Sequence, residues 1–333
     1  MFAHILASCT FQHRTGGLSR FAIGAMQLIA VVATILITED ARAHGIAGHR
    51  LFPGTVSFDD PAVNDELILS PFSSIKHPTD GTDVTDNAIR WSFMRLLTPT
   101  LGIGVDQGFV RRNWGNLTRS GFDTTRLTLK GLLYKNEPHE MLLSAGLSWG
   151  IGGSGARGVG AGAAHTVQPG LFFGKGFGDL PEGLAWLRPF GITGSIAADI
   201  PTTSTSTILG LDRGTGQLTP MPNQNVETLQ WGFSIQYSTY YLTRRFTGGP
   251  PKSEPLIQLV PLVEFAFSSA HGQKTVATMS PGVAYAGETY QLAVEAVVPL
   301  NSEAGYSVGV RTQIIFFLDD LMPTIFGKPI LSR

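Results

Sequence analysis

The chain has 333 residues, of which only 15% are charged and 43% hydrophobic, with 40 glycines and a net charge of −1. Soluble globular proteins are about one-quarter charged, and a nucleic-acid partner would require clustered Lys and Arg, so both classes fit this composition poorly. The single cysteine, Cys9, lies in the first segment. Its position excludes disulfides, a thiolate nucleophile and a Cys-ligated metal from the rest of the chain.

The first segment reads as a secretory leader. Arg14 and Arg20 precede an apolar run from Phe21 to Ile37, and Ala41-Arg42-Ala43 has the small-x-small form of a cleavage site. A run of about 17 residues is at the lower limit for a membrane-anchoring helix, and the Ala-x-Ala site favours a signal peptide over residues 1–43, cut after Ala43. Every later apolar stretch is broken by polar residues or Gly at strand spacing, so no transmembrane helix is predicted beyond it.

Residues 44–63 are predicted to be an N-terminal periplasmic segment. His44 would offer an α-amine and an imidazole to copper, nickel or zinc, with His49 nearby. Asp59-Asp60 and Asp65-Glu66 would offer oxygen ligands to Ca²⁺, but without the order of an EF-hand. For both clusters the preferred reading is a solvated tail that binds nothing specific, and no cofactor is predicted.

From about Asp65 onward the sequence alternates with the period of two that gives a strand one apolar and one polar face. The predicted strands are, in order, Glu66–Ile75, Ile89–Phe93, Leu101–Phe109, Thr125–Leu133, Leu143–Ile151, Val167–Phe173, Phe190–Ile200, Leu229–Tyr241, Gln258–Ser268, Thr275–Tyr285, Tyr290–Leu300 and Tyr306–Phe317. In Leu229–Tyr241, Leu229, Trp231, Phe233, Ile235 and Tyr237 alternate with Gln230, Gly232, Ser234, Gln236 and Ser238. Turn-rich Asn301–Gly305 joins the last two strands as a hairpin.

About twelve strands is an even number, as a closed bacterial barrel requires. With the mature N-terminus in the periplasm, the inner turns fall at Thr98-Pro99, Asn136–His139, Gly178–Gly183, Arg245–Pro255 and Ala286-Gly287. The longest loops, Gly152–His165 and Pro201–Val226, then fall outside, as expected of outer-membrane barrels. A sandwich of two sheets would keep its outward face polar. Here aromatics such as Trp91, Trp149, Trp186, Trp231, Tyr237, Tyr241, Tyr290 and Tyr306 sit where interfacial girdles belong. The predicted fold is therefore all-β: a closed antiparallel transmembrane β-barrel over residues 64–318, in the bacterial outer membrane. Residues 319–333 follow as a periplasmic C-terminal tail, so the last strand ends at an internal Phe316-Phe317 and not at the chain terminus.

Seven charges fall on the polar faces: Arg90, Asp106, Arg126, Lys130, Glu264, Glu295 and Arg311. They are the candidate lumen residues, able to form a transverse field or a selectivity constriction, or only to neutralise one another in a plugged interior. Glu295 and Arg311 lie at near-matching distances from their hairpin, which predicts a cross-strand pair. Phe172, Leu132, Tyr134 and Leu262 are predicted to face the interior as well.

With the strands placed, the chain resembles the MetA-pathway-of-phenol-degradation family of bacterial outer-membrane barrels. The stretches that carry the likeness are Leu187-Arg188-Pro189-Phe190-Gly191-Ile192-Thr193-Gly194-Ser195, Gln230–Ser238 (Gln-Trp-Gly-Phe-Ser-Ile-Gln-Tyr-Ser) and Met279-Ser280-Pro281-Gly282-Val283-Ala284-Tyr285, with Tyr290–Leu300 and Gly309–Phe317. The resemblance implies an outer-membrane barrel serving uptake of small organic compounds, and it carries over no catalytic residue.

The expected function is passive passage of small organic solutes, aromatic or amphipathic, through a charge-lined lumen. The expected partners are outer-membrane lipid and the barrel-assembly machinery. The alternative is a structural or surface-interaction barrel with a plugged lumen. A remote alternative is a lipid hydrolase, because Ser268-Ser269-Ala270-His271-Gly272 brings a Ser near a His. No Asp or Asn is placed by sequence to orient His271, and no enzyme activity is predicted. Gly152–Gly162 lacks the Gly-Lys-Ser/Thr ending of a phosphate loop and reads as a flexible surface loop.

Overall fold

A computed structural model describes residues 45–79, 82–212, 214–241 and 258–331. The signal-peptide reading of residues 1–43, His44 and the predicted turn Arg245–Pro255 lie outside the described residues. Twelve strands form the wall. They are β1 (Glu66–Thr79), β2 (Thr82–Thr98), β3 (Leu101–Trp114), β4 (Arg126–Asn136), β5 (Met141–Gly150), β6 (Thr166–Gly176), β7 (Phe190–Pro201), β8 (Thr228–Tyr237), β9 (Gln258–Ala270), β10 (Val276–Ala286), β11 (Tyr290–Pro299) and β12 (Gly309–Phe317).

Each strand pairs antiparallel with its sequence neighbour, and β12 pairs back onto β1, with Phe317 opposite Glu66. The sheet is thus a closed twelve-stranded antiparallel barrel. Closure leaves no unpaired sheet edge along the wall, which a sheet in hydrocarbon must achieve. The register places Glu295 directly opposite Arg311, as the sequence predicts.

Burial follows the alternation. Along β11, Tyr290, Leu292 and Val294 are exposed while Gln291, Ala293 and Glu295 are buried; along β5, Met141, Leu143 and Trp149 are exposed while Leu142, Ser144 and Ser148 are buried. Buried here means facing the lumen. The exposed set includes Ile103, Phe109, Leu127, Leu129, Leu171, Phe173, Ile196, Leu229, Ile235 and Leu259, an apolar belt far larger than a water-facing surface carries. Among the described residues no helix is long and apolar enough to cross a membrane. The apolar belt is carried by the strands.

Two local departures have clear causes. A bulge between Leu132 and Tyr134 puts Tyr134 opposite Leu143. The extra residue reverses the facing, so Tyr134 points outward, 47% exposed, and the expectation that it faces the lumen is corrected. The other three interior predictions hold: Phe172, Leu132 and Leu262 face inward, and Leu132 packs against a buried cluster of Ala47, Phe52 and Leu142. Strands β1 to β3 are longer than their apolar patterns, running 14, 17 and 14 residues. Their extra length stands at the loop end, where a short strand, Leu117–Phe122, extends the wall beside β3. A separate hairpin, Thr205–Asp212 with Gln217–Gln224, rises in the β7–β8 loop.

Gly152–Gly162 folds over the loop end rather than standing free. Val159 and Ala161 are buried, Val159 packs with Ala88 and Val110, and Gly162 donates its N–H to Thr124 Oγ1 at 2.8 Å. The flexible-loop reading is corrected accordingly.

Candidate functional site

The lumen is filled at the terminal end by the chain's own residues 45–65. This overturns the expectation of a solvated tail. Ala47, Arg50, Leu51, Phe52, Thr55, Asp60, Ala62, Val63, Asn64 and Asp65 are all buried. The segment opens with a tight hairpin, Ile46–Ala47 with Arg50–Leu51, climbs to Ser57–Asp59, and descends to Asp65, where β1 begins. Its carboxylates tolerate burial because the wall supplies cations and donors, as a buried charge requires.

Three wall charges predicted from parity hold this plug. Lys130, 1% exposed, donates to Asp59 Oδ1 at 3.0 Å and to the Asp60 carbonyl at 2.6 Å, with the Phe172 ring 4.6 Å from its ammonium. Glu264, fully buried, accepts the backbone N–H groups of Val56 at 3.0 Å and Ser57 at 2.7 Å. Arg311 donates to Ser57 Oγ at 3.2 Å. Neutral groups complete the seat. Gln291 bonds both the N–H and the carbonyl of Gly54, Gln313 donates to Thr55 O, Ser144 donates to Pro61 O, and Ser57 Oγ lies 3.3 Å from Ser280 Oγ. At Gly232 a Cβ would stand 2.7 Å from the Phe58 ring, so the absence of a side chain there is what admits the top of the plug.

Glu295, 1% exposed, lies against the Glu264 carboxyl. Although Arg311 sits opposite it in register, the guanidinium hydrogen bond goes to the plug.

At the terminal end, Arg50 anchors the hairpin. It donates to the carbonyls of Arg188, Pro189 and Phe190 at 2.6, 2.9 and 3.0 Å and to Glu140 at 3.3 Å, and lies 4.5 Å from the Tyr241 ring. Burial pulls the guanidinium below its usual range, partly offset by Glu140. Tyr241 is 8% exposed, so it belongs to this seat and not to an aromatic girdle. His49 is exposed and stacks on Tyr240 at 6.5 Å. Among the described residues no group of three His, Cys, Asp or Glu comes together to hold a metal.

Above the plug the lumen is open. A cavity of about 570 Å³ has Ser57, Phe58 and Asp59 as its floor, and one of about 760 Å³ continues to the loop end. A side chamber of about 510 Å³ reaches from Ser57 and Arg311 past Ser73 to Glu303. The remaining three predicted charges line this space, with partners the sequence did not supply. Arg90 bonds Asp123 at 3.2 Å, and Arg126 bonds Gln168 and lies 3.6 Å from Asp199. Asp106 accepts from Thr128 at 3.3 Å. The seven charges therefore do not face one another across one constriction. Four are engaged with or beside the plug and three line the vestibule. Ser268 lines the vestibule, while His271 is exposed on the loop, its N–H bonded to Glu227 O.

No protein-family model matches the chain, and no curated protein is significantly similar to it. Solved structures similar to it are barrels. The beta domain of the Bordetella autotransporter BrkA is 11% identical with a TM-score of 0.48, covering 77% of this chain and 99% of that one. The translocator domain of autotransporter NalP from Neisseria meningitidis is 9% identical with a TM-score of 0.43, covering 90% and 95%. The KdgM porin is 8% identical with a TM-score of 0.39, covering 75% and 98%. At these scores no functional assignment passes from them to this chain. Fold and site together define a twelve-stranded barrel with a self-supplied plug beneath a loop-end vestibule.

Proposed function

We propose that this chain is a bacterial outer-membrane barrel that passes small organic solutes, with residues 45–65 as a removable gate. The observation that carries the reading is how the plug is held. Its upper part, Gly54 to Pro61, is seated by hydrogen bonds and charges from Lys130, Glu264, Gln291, Arg311 and Gln313. Contacts of this kind can be exchanged for contacts with water, at a net cost of about 1 kcal/mol for a neutral hydrogen bond and about 1.5–3 kcal/mol for one to a charged group.

The vestibule supports an amphipathic solute. One side carries Arg90, Asp106, Arg126 and Asp199, and the floor and remaining wall carry Phe58, Ile68, Met94, Phe172 and Ala266. Outer-membrane placement is supported by the apolar belt, and periplasmic termini by the longest connection, residues 202–227, standing at the opposite end of the barrel.

A second reading, a permanently plugged barrel that serves as structure or interaction surface, is favoured by the depth of burial of Asp60, Asp65 and Arg50. Planar-bilayer conductance and liposome uptake separate the two. The full chain should conduct intermittently and a chain lacking residues 45–64 should conduct steadily. Silence from both, in folded barrels, would leave the structural reading.

A further inference from the structure

The segment after the barrel is not a free tail. β1 stops pairing with β2 at Glu66–Met94, because the chain turns into the lumen at Asp65, so Arg95 to Thr98 lack a β1 neighbour. The C-terminal residues fill that gap from outside. Ile330 and Leu331 donate their N–H groups to the carbonyls of Leu96 and Leu97 at 3.1 and 2.8 Å. Arg95 gathers the carbonyls of Ile325, Phe326 and Lys328 at 2.9, 3.2 and 2.8 Å, and the Phe326 ring stands edge-on to Phe93 at 6.2 Å. Arg95 and Phe93 share the outward parity of Trp91, so the segment lies on the lipid-facing side of the wall.

Held there, it turns its apolar side chains away from the protein. Leu321, Ile325, Ile330 and Leu331 are 44%, 61%, 58% and 65% exposed, and Met322 is 39% exposed. Lys328, exposed among them, can raise its ammonium toward headgroups while its stem stays with the apolar residues. A pinned segment that begins with two short helical turns, Leu318–Leu321 and Pro323–Phe326, and carries large apolar side chains outward, continuous with a lipid-facing belt, matches the chemistry of the boundary between acyl chains and headgroups.

We infer that residues 318–331 form an interfacial anchor seated in the bilayer leaflet at the terminal end, with phospholipid as the partner. The inference rests on the membrane-barrel reading, and the experiment separates the two. Ile325→Cys and Leu331→Cys, each in a Cys9→Ser background, are labelled with bimane and the barrels reconstituted in phosphatidylcholine vesicles with and without dibrominated acyl chains. Leu129→Cys on the belt and Lys274→Cys on a loop serve as controls, and heat-modifiable migration verifies folding.

Bromolipid should quench both tail positions comparably to Leu129, with protection from aqueous iodide. Iodide quenching like that at Lys274 would overturn the anchor while quenching at Leu129 still upheld the barrel. Protection from both quenchers would also overturn it, in favour of a protein partner such as the assembly machinery. Failure at Leu129 itself would instead refute membrane insertion. Leu331, near the chain end, remains readable if Ile325→Cys folds poorly.

Discussion

The carboxylate of Glu264 accepts the backbone N–H of Ser57 at 2.7 Å, in the middle of the barrel and with no water-exposed surface of its own. Because it also takes the N–H of Val56, one side chain fixes the top of the plug by two main-chain bonds. Bonds from backbone N–H to an ionised carboxylate are stronger than neutral ones. Glu264→Gln keeps the shape but turns one acceptor into a donor facing an N–H. It should weaken plug docking by about 1–3 kcal/mol. Limited proteolysis within residues 53–60 should rise and open probability increase, with heat-modifiable migration unchanged.

Lys130 and Asp60 offer a test by double substitution. Lys130→Met leaves the buried Asp60 without its ammonium, and removing one partner of a buried pair costs about 3–5 kcal/mol. Lys130→Met with Asp60→Asn should recover much of that, since the stranded charge is gone. Plug release measured by proteolysis or hydrogen exchange should therefore be greater in the single variant than in the double. Equal release would show that Lys130 acts only through the Asp60 carbonyl and Asp59.

Much of the wall was legible because lipid on one side and a packed lumen on the other impose period two. All twelve strands and the inward facing of the seven charges follow from that pattern. Single extra residues were not legible: Leu133 carries no sign that it would turn Tyr134 outward. The plug was invisible for a different reason. Residues 45–65 form almost no regular structure, so they have no period, and their acidic residues read as solvated until Lys130 and the wall donors surround them. Asp199 was within reach, since it shares the inward parity of Gly191, Thr193 and Ser195 on β7. Asp123, in the irregular step between Leu117–Phe122 and β4, gave no such signal.

Arg311→Glu tests the charge arrangement. It removes the hydrogen bond to Ser57 and sets a third carboxyl beside Glu264 and Glu295. The plug should release more readily and the open pore should shift toward cations, since charge at a constriction selects the opposite ion. The lipid-facing control is Val310→Arg, expected to cost about 2–4 kcal/mol near the midplane and to impair assembly. A silent Val310→Arg beside a non-folding Arg311→Glu would invert the facing of β12.

Acidity should govern the C-terminal segment. Burial, reinforced by the neighbouring Asp320 charge, raises the Asp319 carboxyl to about 6, and Oδ1 has no hydrogen-bond partner. A carboxyl raised on docking binds its proton more tightly in the docked state. Docking is then strongest below about pH 4, weakens as pH rises toward 6, and is level above that. Amide exchange at Ile330 and Leu331 should quicken over this interval, and Asp319→Asn should flatten the profile.

The gate itself is tested most directly by locking it. Ser57 Oγ and Ser280 Oγ are 3.3 Å apart, close enough for a disulfide to replace both hydroxyls, and Cys9→Ser leaves no competing thiol. In planar bilayers, Ser57→Cys with Ser280→Cys should conduct when reduced, close on oxidation, and reopen with reductant. Unchanged conductance across a verified disulfide would contradict a gate formed by residues 45–65.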